Sequence, residues 1–416
     1  MTYPFLQGLR IIESSAFIAA PLAGLTLSQF GADVIRVDMI GGGIDYGRMP
    51  RMPHPEGKGR SLYWTALNKG KRSIAINLRK PEGRELIQAL ATAPGPEAGV
   101  LLTNIGTPWL AHDVLAQRRA DMISCTIQGN ADGSTALDYT VNCATGYPAI
   151  TGGGSVQQPV NHVMPAWDIA CAYQAAFAVA AAVDHRRRTG EGAELKLALS
   201  DIAFTLLSHL GVLTEAELLQ QERPSIENHL YGAFGRDFGT ADGGRIMVAA
   251  ISSGQWKSLV NCCAISEPIS ALQQRLGLDF SDEAQRFAGR EAIAELVEPW
   301  FAARTQAQAE AELDQHKVCW GRYSTVRELL AHDKRVDESN PVFERISTPG
   351  VGEHLAAGSA VRSPGMRREA TPPAALLGTH TDQILSGVLG LDSAAIGRLH
   401  DAGVVAGPES DPTYQA

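Results

Sequence analysis

The chain has 416 residues, 44% hydrophobic and 19% charged, which excludes a disordered or fibrous protein and leaves room for two or three globular domains. A net charge of −9 argues against general nucleic-acid binding. The six cysteines, Cys125, Cys143, Cys171, Cys262, Cys263 and Cys319, form no CxxC pair and no spaced Cys/His quartet, so a reducing compartment is expected and a metal site is not.

In chain order, residues 9–13 (LRIIE) read as a buried strand, 21–30 as a helix stopped by Gly31, and 32–37 as a second strand. Gly41, Gly42 and Gly43 form a loop. Residues 73–78 alternate as a strand, Pro81 starts a helix to 90, and 100–104 and 122–127 are further apolar strands. Strands alternating with helices predict a large doubly wound, Rossmann-like α/β domain.

Residues 169–183 hold no charge and no helix breaker, so they predict a buried helix. It should stop at Arg186-Arg187-Arg188-Thr189-Gly190, cations at the negative helix end followed by a capping glycine. The run is shorter than the about 20 residues that a bilayer demands. The start, MTYPFLQGLRIIES, has no basic segment leading into an apolar core, so no signal peptide and a cytoplasmic location are expected. Asp168 stands at the head of this helix, where Pro165 favours extended backbone before it. It can serve as an N-cap, or as an ionised carboxylate at the positive helix end.

Near residue 225 the texture changes. Segments 230–234 and 245–250 around an Asp242-Gly243-Gly244 turn, followed by polar helices over about 254–316, predict a smaller α+β domain. Pro- and Gly-rich connectors follow 330, then a last helix at 393–402 and a polar tail expected to be disordered from about 408. The expected division is 1–205 as the large domain, 206–224 as linker and 225–325 as the small domain. Residues 326–340 are a second linker, and 341–416 return to the large domain.

Residues 58–80 contain Lys58, Arg60, Lys69, Lys71, Arg72, Arg79 and Lys80 and no acidic residue. Such a run is either a solvated face or a site for a polyphosphate such as coenzyme A. GxxxxGK[ST], a GxGxxG before a helix, GxSxG and HExxH are all absent, which disfavours P-loop, dinucleotide, serine-hydrolase and zinc-protease chemistry.

Taken in order, LQGLRIIESSAFIAAPLAGLTLSQFGADVIRVD, LNKGKRSIAINLRKPEGRELI, WDIACAYQ…HRRRTGEGAELKLALSD and LLGTHTDQIL resemble the family III CoA-transferases, from residue 6 to about 405. That group includes formyl-CoA transferase and 2-methylacyl-CoA racemase. The resemblance implies a nucleophilic Asp168, coenzyme A as part of the substrate with no tightly bound cofactor, and an interlocked homodimer with no nucleic-acid or membrane partner. It also implies that Arg36, Asn68, Lys71, Arg72 and Asn104 lie in motifs lining the CoA groove. The segments 41–50, 138–142, 160–168 and 230–238 resemble a subgroup that moves CoA within one dicarboxylate.

Two departures narrow the chemistry. Ile18 falls where formyl-CoA transferase has its covering glutamine, and Leu137 precedes Asp138 where the racemases carry a catalytic histidine. Proton abstraction beside the thioester is therefore disfavoured, and a lone carboxylate nucleophile is favoured. A dicarboxylate also needs donors for its free end. Tyr46, Arg48, His162 and Arg236 are candidates, with Ile18 and Trp167 as walls that close the pocket; each of these can equally be a core or surface residue.

Overall fold

The structure is a computed structural model and describes residues 2–53 and 59–414. Lys58 of the basic run lies outside the described residues. The strands in chain order are β1 (Arg10–Ser14), β2 (Asp33–Asp38), β3 (Arg72–Ile76), β4 (Val100–Thr103), β5 (Ile123–Gln128), β6 (Ala193–Ala198), β7 (Phe234–Gly239), β8 (Arg245–Ala250), β9 (Cys319–Arg322), β10 (Phe343–Thr348), β11 (Gly352–Ala357) and β12 (Val405–Ala406).

The chain divides into two compact units, residues 1–145 with 163–220 and 334–416, and residues 146–162 with 221–333. The first is built on a seven-stranded sheet of order β12-β3-β2-β1-β4-β5-β6. Neighbours from β3 to β6 are parallel, and β12 adds an antiparallel edge, pairing Val405 with Ile76. Buried runs of Ile, Val and Leu on β1 to β4 explain the arrangement, because a parallel strand covered on both faces needs apolar residues on both sides. Strand order reverses between β1 and β4, and in such sheets the crevice at the reversal, beyond the carboxyl ends of the strands, is where ligands bind.

The second unit has antiparallel strands in the order β7-β8-β9, with the turn at 240–244 between the first two. β8 falls at the expected 245–250, whereas the first strand starts at Phe234 instead of spanning 230–234, and β9 was not expected. Its core stacks Phe238 on Phe301 and sets Phe234 edge-on to Trp256.

Several expectations about the connections fail. Residues 206–224 are not mainly linker: the helices Leu199–His209 and Val212–Leu219 run through them, and their leucines recur at helical spacing. Residues 146–162 belong with the second unit rather than with the first 205. Within 326–340, Val326–His332 is a helix begun by a Thr325/Glu328 capping box. The Pro- and Gly-rich stretch beyond it holds the β10–β11 hairpin and the helix Thr381–Leu389. Residues 408–414 are ordered, not frayed as expected, because buried Asp411 accepts from the Tyr46 hydroxyl and from the backbone N–H of Leu377.

The basic run is not an open patch. Arg60 is buried and donates to the carbonyls of Pro349, Ala374 and Ala375, Lys69 donates to Ala357, and Lys80 to Ala402. Arg72 pairs with Asp33. Arg60, Lys69 and Lys80 thus fasten the chain's C-terminal part, and Arg72 ties β3 to β2.

Lys71 joins Arg36 around Glu13 at the centre of the sheet. All three are buried, with Arg36 Nη1 3.0 Å and Lys71 Nζ 2.9 Å from the carboxylate. Two buried cations share this acid, together with Asp38 and Asp45 on the arginine side. Removing one partner strands the others in low dielectric. Glu13→Gln should therefore lower stability by about 3–5 kcal/mol, read from the shift of the urea midpoint.

Candidate active site

A pocket of about 260 Å³ opens in the first unit, lined by Phe17, Ile18, Arg48, Tyr63, Asn104, Leu137, Asp138, Tyr139 and Asp168 among others. Its walls come from the segments that follow β1, β4 and β5, so it occupies the switch-point crevice. The volume suits a small acyl group, not a whole coenzyme.

The loop after β1 is held from three sides. Asn104 accepts from the Ala16 N–H at 2.8 Å and returns a bond to the Ala16 carbonyl at 2.7 Å. Asp45 accepts from the Phe17 N–H at 2.9 Å, while Arg36 donates to Ser15 Oγ at 2.9 Å. Phe17 is thereby kept in the left-handed region, at φ 64°, which a side chain of its size avoids without such support.

Asp168 is not an N-cap. The helix runs Ala166–Thr189 with Pro165 at the cap, so Asp168 lies inside the first turn. The cap comes from thirty residues earlier in the chain: Asp138 Oδ2 accepts from the backbone N–H of Trp167 at 2.7 Å and of Asp168 at 3.0 Å. The expected stop is present, with Arg186, Arg187 and Arg188 in the last turn and Gly190 in the left-handed C-cap. At 24 residues the helix is longer than expected, and it is long and apolar enough to cross a membrane by length and composition. In this fold it packs against the helix Ala19–Gln29 and against β5 and β6.

Nor is Asp168 a simply ionised carboxylate. Burial, and then the Asp138 carboxylate, push it up to about 7, against the pull of Arg48. The helix end that favours its anion is outweighed by the loss of water. Arg48 stacks over the Phe17 and Tyr63 rings, 5.5 and 5.2 Å from their centroids, which holds a cation at the pocket wall. The Tyr63 hydroxyl is buried with no hydrogen-bond partner among the described residues, and burial pushes its phenol up to about 12, so it remains a donor.

The other expected residues scatter. Ile18 lines the pocket as expected. Tyr46 does not: it packs edge-on to Trp64 in the core and spends its hydroxyl on Asp411. Trp167 is buried, with its indole donating to Asn142. His162 and Arg236 belong to the second unit and are not among the residues lining the pocket. Arg36, Asn68 and Lys71 do come together, but inside the core, where Asn68 Oδ1 accepts from both cations. In this arrangement Arg36 also reaches the loop after β1 through Ser15 Oγ. Arg72 is tied to Asp33, and only Asn104 of this group lines the pocket. Tyr63 and the clamp from Asp138 were missed. The first sits within the basic run 58–80, where only the cations stand out, and nothing in the spacing of Asp138 and Asp168 announces their contact.

A half-buried carboxylate that accepts no hydrogen bond among the described residues, with a cation beside it, is equipped for nucleophilic acyl transfer. The chain belongs to CoA-transferase family III, whose sequence model matches residues 6–381. As a member it is an enzyme with CoA as part of its substrate. It is 48% identical over 405 residues to the 2-methylfumaryl-CoA isomerase of Chloroflexus aurantiacus, covering 97% of this chain and 98% of that protein. It is 25% identical to the succinyl-CoA:mesaconate CoA-transferase of Haloarcula hispanica, covering 94% and 97% of the two chains. Among solved structures, a CAIB/BAIF family protein from Brucella suis superposes with a TM-score of 0.75 at 24% identity over 93% of this chain and all of that one, which supports the fold.

The raised Asp168 value links the site to stability. Its unfolded value is near 3.8 and its folded value about 7, so the native state holds an extra proton between them and loses stability as pH rises through that window. Asp168→Asn should stabilise the protein at pH 8 by up to about 4 kcal/mol. That advantage should shrink as pH falls from 7 toward 4, seen as converging melting temperatures.

Proposed function

We propose that this chain moves coenzyme A between the carbon-1 and carbon-4 carboxyls of 2-methylfumarate (mesaconate) without releasing the diacid. The single observation that carries the reading is the near-full-length 48% identity to 2-methylfumaryl-CoA isomerase, and a half-buried aspartate in a small pocket with a cation at its wall supports it.

The two carboxyls of a fumarate skeleton lie trans across the double bond and cannot close a cyclic anhydride, so the transfer needs a relay. Ionised Asp168 attacks the carbon-1 thioester, the C–S bond breaks, and CoA leaves as thiolate. The thiolate attacks the aspartyl carbonyl of the mixed anhydride, giving an aspartyl thioester and free mesaconate. The carbon-4 carboxylate then attacks that thioester, and the returning thiolate takes the acyl group and frees Asp168. Atoms balance without water, so a dry pocket suits the chemistry. Arg48 holds the substrate's free carboxylate, with Tyr63 as a second donor and Ile18 as an apolar wall.

The partner we infer is a second copy of this chain, in the interlocked arrangement of the family, and the compartment is the cytoplasm. Tyr173 and Phe177 lie one turn apart on the nucleophile helix and are 55% and 71% exposed. Large apolar side chains exposed on one helix face suit a covered surface. Light scattering should give about twice the 44.4 kDa chain mass, and a monomer at micromolar concentration would remove this part of the reading.

Incubating the carbon-1 thioester alone should yield the carbon-4 isomer, with no labelled free mesaconate entering the product. Extensive labelling would instead support transfer between molecules, as the name of the Haloarcula relative describes. Asp168→Ala should cut turnover by on the order of 10³-fold or more, and Arg48→Leu should raise KM by about 10- to 100-fold.

A further inference from the structure

We propose that Asp138 is a positioning residue for the nucleophile: it fixes the backbone of Asp168 and holds a negative charge against that carboxylate until the carboxylate is acylated. The inference rests on the CoA-transfer reading and concerns the resting enzyme.

The geometry comes first. Helices satisfy their leading N–H groups with a side chain at the N-cap, and Pro165 has none to offer. The helix Asp138–Cys143 supplies it instead, through the two bonds from Trp167 and Asp168 to Asp138 Oδ2. One turn further along, Asn142 takes the Trp167 indole N–H at 3.2 Å. Two consecutive residues of the nucleophile helix are thus gripped by one short element, which leaves the Asp168 backbone little freedom.

The choice of an acid is the second observation. A neutral asparagine can accept the same two N–H bonds without repelling Asp168. Asp138 has its second oxygen, Oδ1, buried with no hydrogen-bond partner among the described residues, so nothing there disperses the charge. A buried carboxylate set against a half-buried one raises the energy of the resting site, and that cost needs a return.

Acylation supplies it. When Asp168 attacks the thioester, a C–O bond forms, the C–S bond breaks, and the electron pair departs with CoA thiolate. Asp168 becomes a neutral anhydride and the repulsion ends. The charge returns when Asp168 is freed, so Asp138 draws the free and acylated states closer in energy. This suits a reversible transfer in which an anhydride must form twice. The groups facing Asp168 are Asp138 and Tyr139 on the short helix, Arg48 on the loop after β2, Tyr63 on the helix Leu62–Leu67, and Cys171 one turn along. Of these, Asp138 alone pushes the Asp168 pKa up by its charge, while Arg48 pulls it down.

Asp138→Asn separates the two roles, because it keeps the acceptor and removes the charge. Wild-type kcat/KM should fall below pH of about 7, where Asp168 takes up its proton. In Asp138→Asn the acid limb should move down by about one pH unit and the plateau rate should drop about tenfold, with the melting temperature held or raised because the cap stays and the repulsion goes. Asp138→Ser, a second neutral cap, should show the same displaced limb, while Asp138→Ala should also lower the melting temperature. An unmoved limb with a wild-type plateau in both neutral variants would reduce Asp138 to a structural cap and overturn the proposal. Full activity in Asp168→Ala would instead remove the transfer mechanism beneath it, so the two failures are distinguishable.

Discussion

Glu13 is the constraint from which the rest of the first unit follows. Its fully buried carboxylate sits on β1 opposite Arg36 on β2 and receives Lys71 from the turn that leads into β3. Two neighbouring strands and the start of a third are thereby tied together beside the switch point where the pocket opens. Gly24 on the next helix has no side chain for the same reason, since a Cβ there would lie 1.8 Å from Glu13 Oε2. A network so deeply buried is a poor source of net stability, because desolvation consumes most of its attraction. What it provides is placement. Through Ser15 and Asp45 it reaches the loop that carries Phe17 and Ile18 into the pocket.

The same network shows why the sequence was legible in part. Short apolar runs separated by amphipathic segments spell out a parallel sheet, and β1 to β5 fall where those runs are. Charge is harder to read. Lys71 and Arg36 look like phosphate ligands because their partner, Glu13, stands far off in the chain and is brought close only by the sheet. Arg60 and Lys80 resemble surface cations until the carbonyls of Ala375 and Ala402 arrive from the other end of the chain. The hairpin β10–β11 was hidden by neighbouring prolines and glycines, which mark turns equally well with or without strands between them. Asp168 was visible as the residue to watch, but its cap was not, because Asp138 reaches it through tertiary contact alone.

Two opposing demands meet at the nucleophile. A carboxylate must lose water to attack a thioester, and losing water makes it harder to ionise. Here the helix start and Arg48 favour the anion, while burial and Asp138 oppose it, leaving the group poised near neutrality. A more exposed aspartate would be ionised at lower pH and would be a weaker base. The price of poise is instability of the resting site, a common feature where function is stored in local strain.

The edge strand β12 has a consequence for biosynthesis. β3 leaves the ribosome long before β12, yet its outer edge is paired only when Val405 and Ala406 arrive. Throughout synthesis of everything between, that flank of the sheet exposes unpaired backbone amides and carbonyls, a template for joining strands from other nascent chains. Asn77, Arg79 and Lys80 follow β3 directly, polar side chains of the kind that discourage such association before the border is sealed.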